Sequence, residues 1–171
     1  MHSEPTIDHE RARPADERHE VLAGRVSELA RRHGVTVAAA ESLTGGNIAV
    51  ALAAAPSASE WFRGSLVAYS SEVKHEVLDV PDGPVVCAKA AEAMAHGVRR
   101  LLRADVAIGV TGSGGPDPQD GQDPGTVFVA VDDGARPEVH RLDLDGDPQE
   151  VLVAAAGEAL ALLVRSLEER A

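Results

Sequence analysis

With 171 residues the chain fits one domain with a core of its own. Only 2% of its residues are aromatic, so that core has to be assembled from Ala, Val and Leu. A formal net charge of −12 leaves no basic face for a phosphate backbone, which excludes non-specific DNA or RNA binding. Cys87 stands alone, so no intrachain disulfide and no paired-cysteine metal motif can form. No run approaches the ~18 apolar residues of a membrane span. The charged N-terminus also lacks the apolar stretch of a secretory signal. We expect a cytoplasmic protein without membrane association, metal or cofactor.

Residues 1–18 hold Pro5, Pro14, many charges and little apolar periodicity, and read as a disordered extension; the domain is expected over 19–171. The histidines His2, His9 and His19 have no ligand spacing. From about Glu20 to His33, Val21, Leu22, Val26, Leu29 and Ala30 recur at helical spacing, and Gly34 ends the helix. Val35 to Ala40 reads as a buried parallel strand. A helix is predicted over 45–55 and a loop over 57–63. A strand follows over 65–69, then a short helix over 71–78, a longer helix over 88–102 and a strand over 106–110. Residues 112–125, rich in Gly, Pro and Asp, form a long loop of the kind that often carries function. A hairpin over 126–131 and 138–144 turns at Asp132-Asp133-Gly134, and 148–168 is the last helix. Early alternation and a late hairpin imply an α/β fold, a three-layer α/β/α domain with a mixed, mostly parallel sheet.

Three polar segments stand at the ends of these strands, where an open α/β sheet has its usual ligand crevice. Ser42, in Glu41-Ser42-Leu43-Thr44-Gly45-Gly46, lies between a strand and a helix start. A hydroxyl there suits a nucleophile whose acyl oxygen becomes negative beside free amides, and Gly45 and Gly46 admit a substrate close to the backbone. A plain helix N-cap by Ser42 or Thr44 explains the same residues. Lys74, one turn after Ser70 and Ser71, is a base only if burial neutralises it; otherwise it is an exposed partner of Glu72 or Glu76. Ser71 and Lys74 also match the short S-x-x-K pattern. Tyr69, the chain's one tyrosine, either relays a proton or packs with a satisfied hydroxyl. Gly109 to Pro116 fails both the Walker and the dinucleotide patterns and remains a backbone cradle for an anion or a sugar.

Taken together, Ala40 to Gly46, Arg63-Gly64, Tyr69 to Lys74, Gly109 to Pro116 and Gly125-Thr126-Val127 resemble, in order and spacing, the nicotinamide-nucleotide amidohydrolases of the CinA C-terminal domain family. The likeness runs from about Glu20 to Leu167. It implies hydrolysis of the carboxamide of nicotinamide mononucleotide to nicotinic acid mononucleotide and ammonia, without a cofactor, by a homo-oligomer, expected to be a dimer. It places the nucleophile on Ser42, with Tyr69 and Lys74 as the base. Substrate contacts are expected from Thr44, Gly45, Gly46, Arg63, Thr111 and Gly112. The alternative is a non-catalytic CinA-like module that binds a nucleotide or a protein. The chain departs from the family pattern at Leu43, Ser71 and Cys87. Gln122, Pro148 and Leu152 stand where the pattern has basic residues, so a weakened grip on phosphate is expected.

Overall fold

The computed structural model describes residues 14–135 and 137–170. Of the extension expected over 1–18, residues 1–13 lie outside the described residues and 14–18 are the first turns of a helix. The elements are α1 (Pro14–His33), β1 (Val37–Glu41), α2 (Asn47–Ala54), α3 (Ala58–Trp61), β2 (Phe62–Val67), α4 (Ser71–Leu78), α5 (Ala88–Leu102), β3 (Val106–Gly112), β4 (Thr126–Asp132), β5 (Glu138–Asp143) and α6 (Pro148–Glu168).

The sheet order is β2-β1-β3-β4-β5. β1 pairs in parallel with β2 and β3, while β4 is antiparallel to both β3 and β5. Four strands therefore share one direction and only β4 opposes them. Side-chain alternation along the strands splits the core into two layers. Val37, Ala39, Ile108, Val110, Val127 and Val129 face a cluster with α1, α2 and α6. Ala38, Ala40 and Ala107 face α4 and α5, while Phe128 and Ala130 pack on Ala91 and Ala95. The result is the expected three-layer arrangement. No helix among the described residues is long and apolar enough to cross a membrane.

Helix α1 begins at Pro14, ahead of the predicted Glu20. Its first turns dock on α6: Arg18 pairs with Glu158 at 2.6 Å, and the buried His19 donates through Nε2 to the Val153 carbonyl at 3.1 Å. His19 thus belongs to the contact between two helices rather than to a solvated tail. Strand β2 also starts earlier than predicted, at Phe62, and ends at Val67. Tyr69 therefore stands two residues beyond it.

Small residues set the distance between α5 and the sheet. A Cβ built on Gly109 would lie 2.5 Å from the Ala91 carbonyl oxygen and 2.5 Å from the Ala95 nitrogen, both in the α5 backbone. Neither helix nor strand can move without disturbing its own layer. Gly109→Ala should therefore destabilise the fold by ~2–3 kcal/mol, lowering the thermal midpoint by ~5–10 °C. Gly24→Ala is the control: Gly24 lies inside α1 with nothing within 4 Å of the added methyl, so the substitution should raise stability by ~0.5–1 kcal/mol. Thermal melts of the two variants check both.

Candidate functional site

The register shows why distant segments converge. Glu41 is opposite Val67 of β2 and Val110 of β3, and Thr126 is opposite Asp143. The chain leaves β1, β2, β3 and β5 at one edge of the sheet. β1 is followed by α2 on one face, and β2 leads to α4 and α5 on the other face before β3 returns beside β1. Between β1 and β3 the connections part, which is where an open α/β sheet forms its crevice.

A cleft of about 260 Å³ occupies that position. Ser42 and Leu43 supply one wall, Gly112 to Gly115 with Asp117 and Gln119 the second, Pro148, Gln149 and Leu152 the third, and Tyr69 the rim. The Ser42 main chain is fixed at both ends: its N–H donates to the Val110 carbonyl at 3.1 Å, and its carbonyl accepts from Gly45 N–H at 3.0 Å. Its hydroxyl has no partner among the described residues. Nearby, the N–H groups of Leu43, Thr44, Gly114 and Gly115 likewise find no acceptor among the described residues, whereas their neighbours Ser42, Gly45 and Ser113 do. The site thus joins a free hydroxyl to unspent backbone donors.

Ser42 does not cap α2. The N-cap position is Gly46, which has no side chain, and the cap comes instead from Glu41. This carboxylate is fully buried. One oxygen accepts from Thr44 Oγ1 at 2.8 Å, Gly46 N–H at 3.1 Å and Ile48 N–H at 3.1 Å. The other accepts from Ala49 N–H at 2.8 Å and Ser65 Oγ at 3.1 Å. A carboxylate at a helix N-terminus both satisfies the free amides and opposes the positive end of the dipole. Sequence reasoning gave Glu41 no role. The available signal was a carboxylate closing an otherwise apolar strand ahead of a helix with glycine at its N-cap.

Lys74 is buried, at 2% exposure, and its ammonium nitrogen donates to the Tyr69 carbonyl at 3.0 Å. The exposed pairing with Glu72 or Glu76 does not occur. Burial pushes the Lys74 pKa below the ordinary lysine value, and the Asp120 carboxylate works against that shift. Asp120 also receives the Val85 and Val86 amides at 2.7 and 3.0 Å, pinning the 112–125 loop over the start of α5. Ser70 is the N-cap of α4, accepting from Val73 N–H at 3.2 Å, so it is the position before Ser71 that caps the helix carrying Lys74. The Tyr69 side chain is 73% exposed and leans over the cleft rather than packing into a core. It meets Lys74 through its main-chain carbonyl. No hydrogen bond joins Ser42 to Lys74.

Of the expected substrate contacts, Gly112 lines the cleft. The Thr44 hydroxyl is spent on Glu41, and the Thr111 hydroxyl donates to the Val85 carbonyl at 2.6 Å. Gly45 and Gly46 shape the turn into α2, both with positive φ, and do not line the cleft. Arg63 lies at the opposite end of the sheet. It is exposed at the start of β2, near Asp105, whose pKa is lowered chiefly by hydrogen bonds from the Thr36 N–H and hydroxyl and only slightly by the Arg63 charge. It does not reach the cleft of its own chain. Pro148 and Leu152, which stand where the family pattern has basic residues, also line the cleft, as do Asp117 and Gln119, which were not anticipated as contacts.

These features define an open α/β domain with a serine-bearing cleft at its topological switch point. The chain belongs to the CinA C-terminal domain family, whose sequence profile matches residues 19–167. It is 34% identical over 154 residues to a competence-damage inducible protein of Bacillus velezensis, covering 87% of this chain and 37% of that protein. A competence-damage inducible protein of a Geobacillus strain is 36% identical over 155 residues, covering 86% and 37%. The chain thus spans little more than a third of these relatives. Among solved structures, a CinA superfamily protein from Klebsiella pneumoniae superposes with a TM-score of 0.85 at 31% identity, covering 89% of this chain and 99% of that one. One from Escherichia coli does so with 0.84 at 30%, covering 91% and 94%.

Glu41→Ala would strip five donors of their acceptor. At ~1–3 kcal/mol for each buried group left unpaired, partly relieved by water, a loss of ~3 kcal/mol or more is expected. Glu41→Gln, which keeps two heteroatoms but turns one into a donor facing donors, should cost nearly as much. Chemical denaturation of both variants checks this, and recovery of wild-type stability in Glu41→Gln would show that charge is irrelevant to the cap.

Proposed function

We propose that this chain is an amidohydrolase that uses Ser42 to cleave the carboxamide of a nicotinamide nucleotide, releasing ammonia. The observation that carries this reading is the unpartnered Ser42 hydroxyl beside unspent backbone amides, in a chain of the CinA C-terminal domain family. Ser42 Oγ attacks the amide carbon while its proton passes toward Lys74, kept receptive by burial. Apo sites often hold catalytic partners loosely; a bridge between Oγ and Nζ is required in the reacting complex, and we assign it to the Tyr69 hydroxyl, which would have to turn in from the cleft rim. The developing oxyanion takes hydrogen bonds from Leu43 N–H on one side and Gly114 and Gly115 N–H on the other. The C–N bond breaks as the leaving nitrogen takes the proton back, giving ammonia and an acyl-serine. Water, deprotonated through the same lysine, then attacks the ester, frees the carboxylic acid and restores Ser42.

Incubating the chain with nicotinamide mononucleotide should release ammonia and nicotinic acid mononucleotide. Ser42→Ala should abolish release with the thermal midpoint held within a few degrees. Intact turnover in Ser42→Ala would overturn the nucleophile, and absence of any turnover in the wild-type chain would favour a non-catalytic binding module.

Lys74 gives a second test with a defined sign. A lysine titrates near ~10.4 when free, and here burial lowers it. Activity should therefore rise with pH through the lowered value and level off before the ordinary one. Between those two values the unfolded chain binds more protons than the folded chain, so stability should also rise with pH across that window. Lys74→Met should abolish turnover, remove this pH dependence of stability, and leave the thermal midpoint at neutral pH unchanged or higher. Activity and pH-dependent denaturation of the one variant measure all three.

A further inference from the structure

The cleft that would receive the amide has no cationic side chain. Asp117 is the one charged residue in its lining, and no Lys, Arg or His joins it among the described residues. An anionic group could still be held by the N-terminus of a helix, and α6 brings its first turn, Pro148 and Gln149, to the cleft wall. Those amides are already taken. Gln149 and Glu150 N–H both donate to Asp147 Oδ1 at 2.9 Å, Asp147 N–H donates to Glu150 Oε2 at 2.8 Å, and Pro148 has no N–H. The capping box therefore places two carboxylates where an anion would have to approach. The start of α2 is closed in the same way by Glu41. Lys74, the one cation close behind the rim, is buried and bonded to the Tyr69 carbonyl. Apart from the Ser42, Ser113 and Gln119 side chains and the neutral amides beside Ser42, the remaining walls are Leu43, Leu152, Pro148 and Tyr69. They suit a flat heteroaromatic ring, and a ring bearing positive charge gains from Asp117 and from the tyrosine face. At about 260 Å³ the cleft also falls just under the ~300 Å³ at which drug-sized ligand pockets begin.

We propose that the cleft selects a carboxamide without an anionic group, a pyridine nucleoside amide in preference to its 5′-phosphorylated form. This rests on the amidohydrolase reading for the chemistry but not for the selectivity, which binding alone can measure. A phosphate dianion facing Asp117 with no countercharge should weaken binding about tenfold or more.

Calorimetric titration of the Ser42→Ala chain with nicotinamide riboside and nicotinamide mononucleotide, at matched ionic strength, tests the selectivity without turnover. The riboside should bind at least about tenfold more tightly. Asp117→Asn should narrow the gap, and Leu152→Arg, which sets a cation in the wall, should close or invert it. Competition between the two compounds for the wild-type chain repeats the comparison should Ser42→Ala fold poorly. Equal or tighter binding of the mononucleotide would overturn the proposal, as would the failure of both compounds to bind at millimolar concentration. Riboside binding with no ammonia release would sink the hydrolase reading alone and leave the selectivity standing.

Discussion

A single buried carboxylate, Glu41, ties together three elements around the Ser42 wall of the cleft. It ends β1, caps α2 through three backbone amides, and reaches β2 through the Ser65 hydroxyl. A charge with no exposed surface is expensive to place unless nearly every lone pair finds a donor, and this one accepts five hydrogen bonds, one of them from Thr44. The next residue in the chain is Ser42. Its backbone is tied to β3 through Val110, so the serine sits between a strand that cannot slide and a helix whose start cannot fray. Its hydroxyl is left with no structural work, which is what a nucleophile requires. The usual economy, in which the residue before a helix spends its hydroxyl on the first-turn amides, has been shifted five positions back from the N-cap Gly46 onto a carboxylate.

The same transfer explains which parts of the site could be read from the sequence. The segments Ser71–Leu78, Ala88–Leu102 and Pro148–Glu168 follow from their start and stop signals and match the structure at both ends. Strand β2 does not, because Phe62-Arg63-Gly64 has the composition of a loop and becomes strand only by pairing with β1, through an irregular register at Val37 and Ala38. The start of α1 was missed for a related reason: its first turns carry few apolar residues and are held by a salt bridge and one buried histidine on α6. At the site, position was legible and engagement was not. Ser42, Tyr69 and Gly112 do line the cleft, since strand ends in an α/β sheet must converge. Thr44 and Thr111 are equally close in sequence, yet each hydroxyl is consumed by a partner, Glu41 or the Val85 carbonyl, that only the tertiary structure supplies. Arg63 fails for a geometric reason, because β2 starts with it at the far edge of the sheet.

Charge placement carries the functional argument beyond the family likeness. Among the helices that begin at this edge are α2 and α6, and each of these two would be a ready anion site if its amides were free. The chain answers both with its own carboxylates, Glu41 for α2 and the Asp147–Glu150 box for α6. The net charge of −12 is thus not confined to the outer surface but reaches the mouth of the cleft. The two caps differ in kind. Glu41 is buried and linked to β2, so it cannot yield to a ligand without loosening the turn that holds Ser42. Asp147 and Glu150 are exposed and satisfy only one another and the first turn of α6, so an incoming anion would have to displace two like charges to gain two amides. That exchange is unfavourable, since it trades two hydrogen bonds to charged groups for two others and adds like-charge repulsion. The backbone donors that remain, around Leu43 and Gly114, are neutral and lie in the same cleft as Ser42, where the amidohydrolase reading has them serve the reacting carbonyl rather than a distant charge. A site built this way can stabilise an oxyanion that exists only during reaction while offering little to an anion present from the start, and that difference between transition state and ground state is where catalysis is gained.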